Sequence, residues 1–584
     1  MLVGSIMIKE ISMEAISGVK RKRSEQVSPF QVRILGVPKY TTEPDIYKDI
    51  VLPILPQPEN SIIGISKQAI KKTAFILFTS EASRKEFVMK FGEMASTLKH
   101  NECSITTHVS KPLPKSSFKS LAKITQKSEN KQTTETKEVL FESTGNQVLP
   151  WQDIPYKEQV NRKIKALQLT LQEFFIQLKE LQGVMPNCQY VKFIESNSEK
   201  LNEYRNKVEL SIGYSSKGEI EIGFIKGKME VGNIEVDSVM EYPHASNEAK
   251  EASRSLLKII KEYYESDELK PYDRIISTNE EKKFKEEGGK LFWRALQIRQ
   301  SNRTKEMMIT VICTKGILDN ELELRLKESL KQTFPLEGKI GELKTVSLNM
   351  IQSEAIGMDY DFTDTLEILY GNGYYTEQLL GYSFHVSPLS FLQVNTEVCE
   401  HMYTYIKELA YDSVRKPCKE LILFDLYCGI GTIGICLEEI VSKIIGIEVV
   451  PSAIENANKN AELNSLKGKV QYFCGKADEL ITQVASQYEN NPIIAIVDPP
   501  RAGLHKDVLK KIRTCKGLDV VIYVSCNQKS LIKDALYLCQ PNKGRIRGPA
   551  FTAISYAGAD LFPFTPHTEC IMLFKRYYPG SICA

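Results

Sequence analysis

Asp425-Leu426-Tyr427-Cys428-Gly429-Ile430-Gly431-Thr432-Ile433-Gly434 follows the apolar run Leu421 to Phe424 and opens a helical pattern. Glycines at this spacing make a tight turn through which a ligand can approach the amino terminus of the next helix. The pattern is weak alone, and its surroundings give it meaning. Strand-like runs recur at Leu421 to Tyr427, Lys443 to Glu448, Val470 to Cys474, Ile493 to Val497 and Val520 to Ser525, with helical patterns between them. That alternation predicts an open, doubly wound α/β sheet.

Glu448 ends the second of these strands, where a carboxylate can accept hydrogen bonds from both ribose hydroxyls of an adenosine. NAD and S-adenosylmethionine share that adenosine, so a second feature must separate them. Asp498-Pro499-Pro500-Arg501 ends the fourth strand, and its two prolines fix the backbone and hold Asp498 at the strand tip. Such acid-Pro-Pro loops resemble those of nucleic-acid methyltransferases, which favours S-adenosylmethionine over NAD.

The chain of 584 residues is too long for one core, so two or three domains are expected. Its 42% hydrophobic and 26% charged residues are those of a soluble protein, and a net charge of +3 excludes a uniformly basic coat while leaving room for local patches. The 13 cysteines are scattered, without a secretory leader pattern, which predicts reduced thiols and a cytoplasmic and/or nuclear location. No apolar run is long enough for a membrane span. Lys20-Arg21-Lys22-Arg23 reads equally as a nuclear-import signal, a phosphate contact or part of a solvated tail.

Five segments follow. Residues 1–29 read as a disordered basic tail. In 30–110, strands at Phe30 to Gly36 and Ala74 to Thr79 and helices at Glu43 to Ile50 and Glu81 to Phe91 predict a small α+β domain. Val32 to Pro38 and Lys71 to Phe78 resemble the two signature strands of an RNA recognition motif, in which aromatics stack on bases. Phe75 keeps one aromatic position, but Arg33 and Thr73 stand at the others, so strong base stacking is not expected. Residues 111–150, rich in Lys, Ser, Thr, Gln and Glu, read as a linker. Residues 151–385 form a central RNA-binding α+β domain with a helical lead-in. In that lead-in, Tyr156 to Leu181 is an amphipathic helix with no chemistry assigned. Strands follow at Val208 to Ile212, Glu219 to Phe224, Met229 to Ile234 and Glu306 to Thr314, with a helix at Asp319 to Thr333; Arg205-Asn206-Lys207 is either a phosphate contact or a solvated turn. Residues 386–584 are the Rossmann-like domain.

Val524-Ser525-Cys526-Asn527 ends the fifth strand in a cysteine, and Thr565-Pro566-His567-Thr568-Glu569 precedes the last apolar strand. With the glycine loop, Asp498 to Leu504 and Ser387 to Asn395, these motifs in this order resemble the RNA uracil-5-methyltransferase family over roughly Arg205 to Arg576. The resemblance implies a Rossmann-like methyltransferase acting on the T-loop uridine of cytosolic tRNA. It also implies that Gln393, Tyr427, Thr432, Glu448 and Asp498 contact S-adenosylmethionine, that Cys526 is the nucleophile and that Glu569 is the proton acceptor. Where the family has Asn-Pro after the nucleophile this chain has Asn527-Gln528, which predicts a less rigid loop. Relatives that act on ribosomal RNA often carry a four-cysteine iron–sulfur cluster. Cys103, Cys188 and Cys313 lack that spacing, so tRNA is the expected partner and neither metal nor cluster is expected.

The chemistry explains the choice of residues. Carbon 5 of uracil is a poor nucleophile until a thiolate adds to carbon 6, and a base must afterwards take the carbon 5 proton. A thiol of lowered pKa is expected, with Arg501 the nearby cation, and His567 is expected to orient rather than react. Two rivals remain at this level. An RNA-binding tRNA-folding factor with this fold would show little turnover, and an amino-group methyltransferase would need no thiol.

Overall fold

The computed structural model describes residues 31–35, 46, 50–55, 62–67, 73–94, 104–106 and 119–120 of an amino-terminal unit. In a second unit, which begins at Phe141, it describes 148–181, 188–227, 235–272, 290–334, 342–351, 366–413, 420–544 and 546–577. The basic run Lys20 to Arg23, most of the helix expected at Glu43 to Ile50, most of the expected linker and the strand expected at Met229 to Ile234 lie outside these residues.

In the first unit, β1 (Gln31–Leu35), β2 (Ile62–Lys67), β3 (Thr73–Phe78), β4 (Ser104–Thr106) and β5 (Lys119–Ser120) form an antiparallel sheet in the order β4-β1-β3-β2-β5. The last strand uses residues of the stretch read as linker. Alternation along β1 and β3 sends Val32, Ile34, Ala74, Ile76 and Phe78 into a core with Phe87 and Phe91 of the helix Glu81–Met94. Phe75 points to the other face and is itself buried, so it offers no open ring for a base.

The second unit holds two large sheets. One contains β7 (Lys207–Tyr214), β8 (Ile220–Lys226), β9 (Glu235–Ser238), β11 (Lys290–Gln300), β12 (Glu306–Thr314), β13 (Glu342–Ile351) and β14 (Leu366–Gly371) in the order β14-β13-β12-β11-β7-β8-β9, with β10 (Leu269–Pro271) beside β11. Apolar stripes of the helices Asn247–Asp267 and Asn320–Thr333 close its core. A hairpin of β15 (Tyr375–Leu379) and β16 (Tyr382–Val386) leads to the helix Thr396–Ser413.

The other sheet takes β6 (Gln189–Ile194), β17 (Ile422–Leu426), β18 (Lys443–Glu448), β19 (Val470–Cys474), β20 (Ile493–Val497), β21 (Leu518–Ser525), β22 (Phe551–Ala559) and β23 (Glu569–Arg576) in the order β19-β18-β17-β20-β21-β23-β22-β6. From β19 to β21 the strands are parallel, and β17 and β20 are wholly buried because helices cover both faces. β23 alone reverses against β21. β6 pairs with β22, and Leu167, Leu171, Phe174 and Leu178 of the helix Tyr156–Glu180 join the core of this sheet. The lead-in assigned by sequence to the central domain therefore packs on the Rossmann-like sheet, since its apolar stripe finds an uncovered sheet face there. Among the described residues no helix is long and apolar enough to cross a membrane.

A buried ion pair joins that helix to the far end of the chain. Lys163 Nζ lies 2.6 Å from Asp560 Oδ1, both side chains are fully buried, and Tyr156 Oη donates to Asp560 Oδ2 at 2.9 Å. Removing one partner leaves an uncompensated buried charge, which costs about 3–5 kcal/mol, whereas an apolar replacement of both partners is often neutral. Lys163→Met should therefore lower stability by roughly that amount in urea titration, and Lys163→Met with Asp560→Leu should recover much of it.

Candidate active site

In an open α/β sheet, ligands lie beyond the carboxyl ends of the strands where the strand order reverses, here between β17 and β20. Tyr427, Glu448, Asp498 and Cys526 all stand at such ends. Antiparallel β23 brings its amino-terminal residue to the same edge. Ser525 pairs with Cys570, so one step further along the register Cys526 stands opposite Glu569. Facing residues of an antiparallel pair have Cβ atoms about 4.5–5.5 Å apart.

The cofactor side is built from backbone. Tyr427 adopts a left-handed φ of 64°, costly for a large side chain, and its amide bonds Ile447 O at 2.8 Å. Gly431, at φ 82°, could not become alanine, since the added carbon would lie 2.2 Å from the Tyr472 hydroxyl. At Gly429 that position faces open space, which leaves room for a ligand against the loop. Asp425 Oδ2 accepts the Gly434 amide at 2.9 Å while its Oδ1 is buried without a partner, and burial pushes this carboxyl up to about 7. Glu448 accepts from Val449 N (2.8 Å), Val450 N (3.0 Å) and Gly429 N (3.2 Å). Of the carboxylate's roughly four lone-pair sites, one on Oε2 is then left for a ribose hydroxyl, fewer than the two bonds expected from sequence. An open cradle beside Gly429, an aligned acid and an unsatisfied buried acceptor fit an adenosine-bearing cofactor.

The remaining expected ligands come from other elements. Thr432 opens the short helix after the glycine loop, with its hydroxyl 3.4 Å from Tyr403 Oη. Gln393, buried, sits on the loop Ser387 to Asn395, whose backbone the central sheet holds. Asn206 Nδ2 donates to Gln393 O at 2.8 Å, the Asn206 amide donates to Val394 O at 2.9 Å, and buried Arg299 donates to Ser390 O and Pro388 O. Asn206 is thus neither a phosphate contact nor part of a solvated turn. Asn456, on the helix after Glu448, reaches Ser387 Oγ at 3.1 Å and ties this loop to the cofactor strand. Phe391, 65% exposed on the same loop, had no sequence signal beyond its motif and offers an open aromatic face.

Cys526 is exposed, while Glu569 is 2% exposed. Burial raises the Glu569 carboxyl well above its ordinary value, and the Asp498 carboxylate pushes the same way; Asp498 itself rises to about 7, through burial and then Asp425. The depressed thiol pKa expected for Cys526 is not found. Burial raises it and the Glu569 carboxylate adds to this, while the hydrogen-bonding Arg501 guanidinium lowers it without prevailing. Cys428, in the glycine loop, is buried, with its thiol also pushed well up by burial. His567 is exposed and its imidazole is shifted toward the neutral form by partial burial, Lys163 and Arg501.

Loops carrying Asp498 and Cys526 are tied to each other. Asn527 Nδ2 donates to Arg501 O at 2.9 Å, and Asp534 Oδ2 accepts from Leu504 N (2.7 Å) and Tyr523 Oη (2.8 Å). No sequence pattern marks Asp534 for this. Among the described residues Asp478, His505 and Asp507 also converge within 4.8 Å; Asp478 is half-buried, and His505 and Asp507 are exposed and lie 3.5 Å apart.

Residues 376–577 match the model of the tRNA (Uracil-5-)-methyltransferase family. The human tRNA (uracil-5-)-methyltransferase homolog A is 30% identical over 452 residues, covering 74% of this chain and 67% of that one. An uncharacterized RNA methyltransferase of Clostridium tetani is 31% identical, covering 73% and 81%. The solved Pyrococcus abyssi tRNA (uracil-54, C5)-methyltransferase, in complex with S-adenosyl-L-homocysteine, is 21% identical with a TM-score of 0.49, covering 74% of this chain and 86% of that one. The chain belongs to the tRNA (uracil-5-)-methyltransferase family of S-adenosylmethionine-dependent enzymes.

Proposed function

We propose that this protein methylates carbon 5 of the T-loop uridine of cytosolic tRNA through a covalent adduct with Cys526. The observation that carries this reading is the register of β21 and β23, which sets an exposed thiol opposite a buried carboxyl at the ligand-binding edge of the sheet. S-adenosylmethionine supplies an electrophilic methyl group, and Gln393, Tyr427, Thr432, Glu448 and Asp498 would hold it.

Cys526 adds as thiolate to carbon 6 of uracil, and the electron pair moves into the ring and makes carbon 5 nucleophilic. Arg501, hydrogen-bonded to the thiol, favours the thiolate. Phe391 offers a face on which the flipped base can stack. Once carbon 5 has taken the methyl group, Glu569 in its ionised form takes the carbon 5 proton. A carboxylate kept from water is a stronger base than one in water, and the new ring double bond expels the thiolate. The raised Cys526 thiol is the one observation favouring a tRNA-folding factor with little turnover, and methyl transfer to bulk tRNA decides between the two.

Residues 30–110 we read as an RNA-recognition-motif-like module, supported by the order β4-β1-β3-β2 with a helix between β3 and β4. Because Phe75 is buried, the module contributes through charge, shape or protein contact rather than base stacking.

Three outcomes follow from this reading. Cys526→Ala should abolish turnover and leave no covalent RNA adduct, whereas Glu569→Gln should accumulate a denaturant-resistant, methylated adduct; an adduct from Cys526→Ala in denaturing gels would show that another group attacks. Glu448→Ala should weaken S-adenosylmethionine binding by roughly 10- to 100-fold in calorimetry, the loss of one charge-assisted hydrogen bond at about 1.5–3 kcal/mol. Removing residues 1–147 should leave S-adenosylmethionine affinity unchanged and weaken tRNA binding in filter assays; unchanged tRNA affinity would assign the module to protein contacts.

A further inference from the structure

The helix Tyr156–Glu180 carries polar side chains in an apolar stripe. Gln159 and Lys163 are fully buried and Thr170 is 7% exposed, among Leu167, Leu171 and Phe174. A buried polar group is stabilising only when it is paired, so each must have a partner. Toward the helix start those partners lie in the segment that leads into Glu569. Lys163 Nζ bonds Asp560 and, at 3.0 Å, Phe562 O; Tyr156 bonds Asp560; and Gln159 Oε1 accepts the Phe564 amide at 2.8 Å. Further along the helix the partner lies just after Cys526. Thr170 Oγ1 is 2.8 Å from the Gln528 side-chain amide and 2.9 Å from Ala166 O. Thr170 Oγ1 is the donor to both oxygens, so its one proton is shared between Gln528 Oε1 and Ala166 O.

Gln528 is the first residue of the helix Gln528–Cys539, and Asn527 caps it, Oδ1 accepting the Lys529 amide at 3.1 Å. The first helical position suits proline, whose ring fixes φ and whose missing N–H has no partner inside the helix. Asn527, at φ −129° and ψ 101°, already has the extended conformation that a following proline requires. A proline-compatible backbone therefore holds a glutamine whose side chain is tied 358 residues away in sequence.

We propose that the helix Tyr156–Glu180 sets the spacing of nucleophile and base, and that Thr170 is a positioning residue for Cys526, acting through Gln528. This rests on Cys526 being the nucleophile. The side-chain tether supplies from outside the restraint that a proline ring would supply from within. The helix then holds the Cys526 loop through Thr170 and the approach to Glu569 through Tyr156, Gln159 and Lys163.

The test uses the full chain with Thr170→Val, Thr170→Ser, Gln528→Pro and the Thr170→Val/Gln528→Pro pair. Two readouts apply: the single-turnover rate of adduct formation with unmodified tRNA at saturating S-adenosylmethionine, and hydrogen exchange of the peptide spanning Val524 to Ile532. Thr170→Val should slow adduct formation about tenfold, as expected for a misplaced reacting group, with S-adenosylmethionine affinity and adduct breakdown unchanged, and should speed exchange in that peptide. Thr170→Ser, which keeps the hydroxyl, should behave as the parent protein. Adding Gln528→Pro to Thr170→Val should restore both rates to within about twofold of Gln528→Pro alone. Unchanged exchange in Thr170→Val, equal slowing in Thr170→Ser, or slowing that Gln528→Pro does not relieve overturns the tether. Failure of the parent protein itself to form an adduct overturns the assignment of Cys526, while the exchange rates still judge the tether.

Discussion

Everything at the active edge depends on one antiparallel pairing. Because β23 runs against β21, the residue that begins β23 lies beside the residue that follows β21, and Glu569 meets Cys526 where five parallel strands deliver their carboxyl ends. Had β23 been parallel, its first residue would lie at the opposite edge, and thiol and carboxyl would stand a strand length apart. β23 is also apolar through Phe574, so core packing fixes its register; a slip of one residue would turn Ile571, Leu573 and their neighbours to the wrong faces.

Electrostatics at that edge divide by depth. The exposed thiol sits at the mouth with Arg501, while Asp425, Asp498 and Glu569 lie inside, each with its carboxyl pushed up by burial and, apart from Asp425's one amide, without a backbone donor that offsets it. Three backbone amides hold Glu448.

The Rossmann-like strands were legible because β17, β18, β20 and β21 are buried on both faces and are mostly apolar, with few charged residues among them. β11 was not, although ten of its eleven residues are buried: KLFWRALQIRQ places Arg294, Gln297, Arg299 and Gln300 inside, and only their partners, such as the carbonyls of Pro388 and Ser390, make that tolerable. Cys526 and Glu569 were singled out through motif and resemblance, not through any local pattern, and the fold adds that they stand opposite each other. The Cys526 pKa was misjudged because one nearby cation can be read from a motif, whereas burial and a facing carboxyl belong to the folded chain. Asp534 and Thr170 act across the fold on partners that no sequence spacing reveals.

β6 adds a consequence for how the chain assembles. It precedes the central sheet yet completes the edge of the Rossmann-like one, and Ser196, just after it, bonds Asp560 O across 364 residues. Closing a flexible loop of that length would cost about 5 kcal/mol of chain entropy. The central sheet roughly halves this loop and so removes about 0.6 kcal/mol of the cost, because Asn206 and Gln393, 187 residues apart at its two ends, are bonded to each other once it folds. The inserted domain then behaves as a short, preformed staple rather than a long loop. Order of synthesis suits this arrangement: the insert is complete before the last strands emerge, so late-made β22 meets an early-made β6 already held nearby.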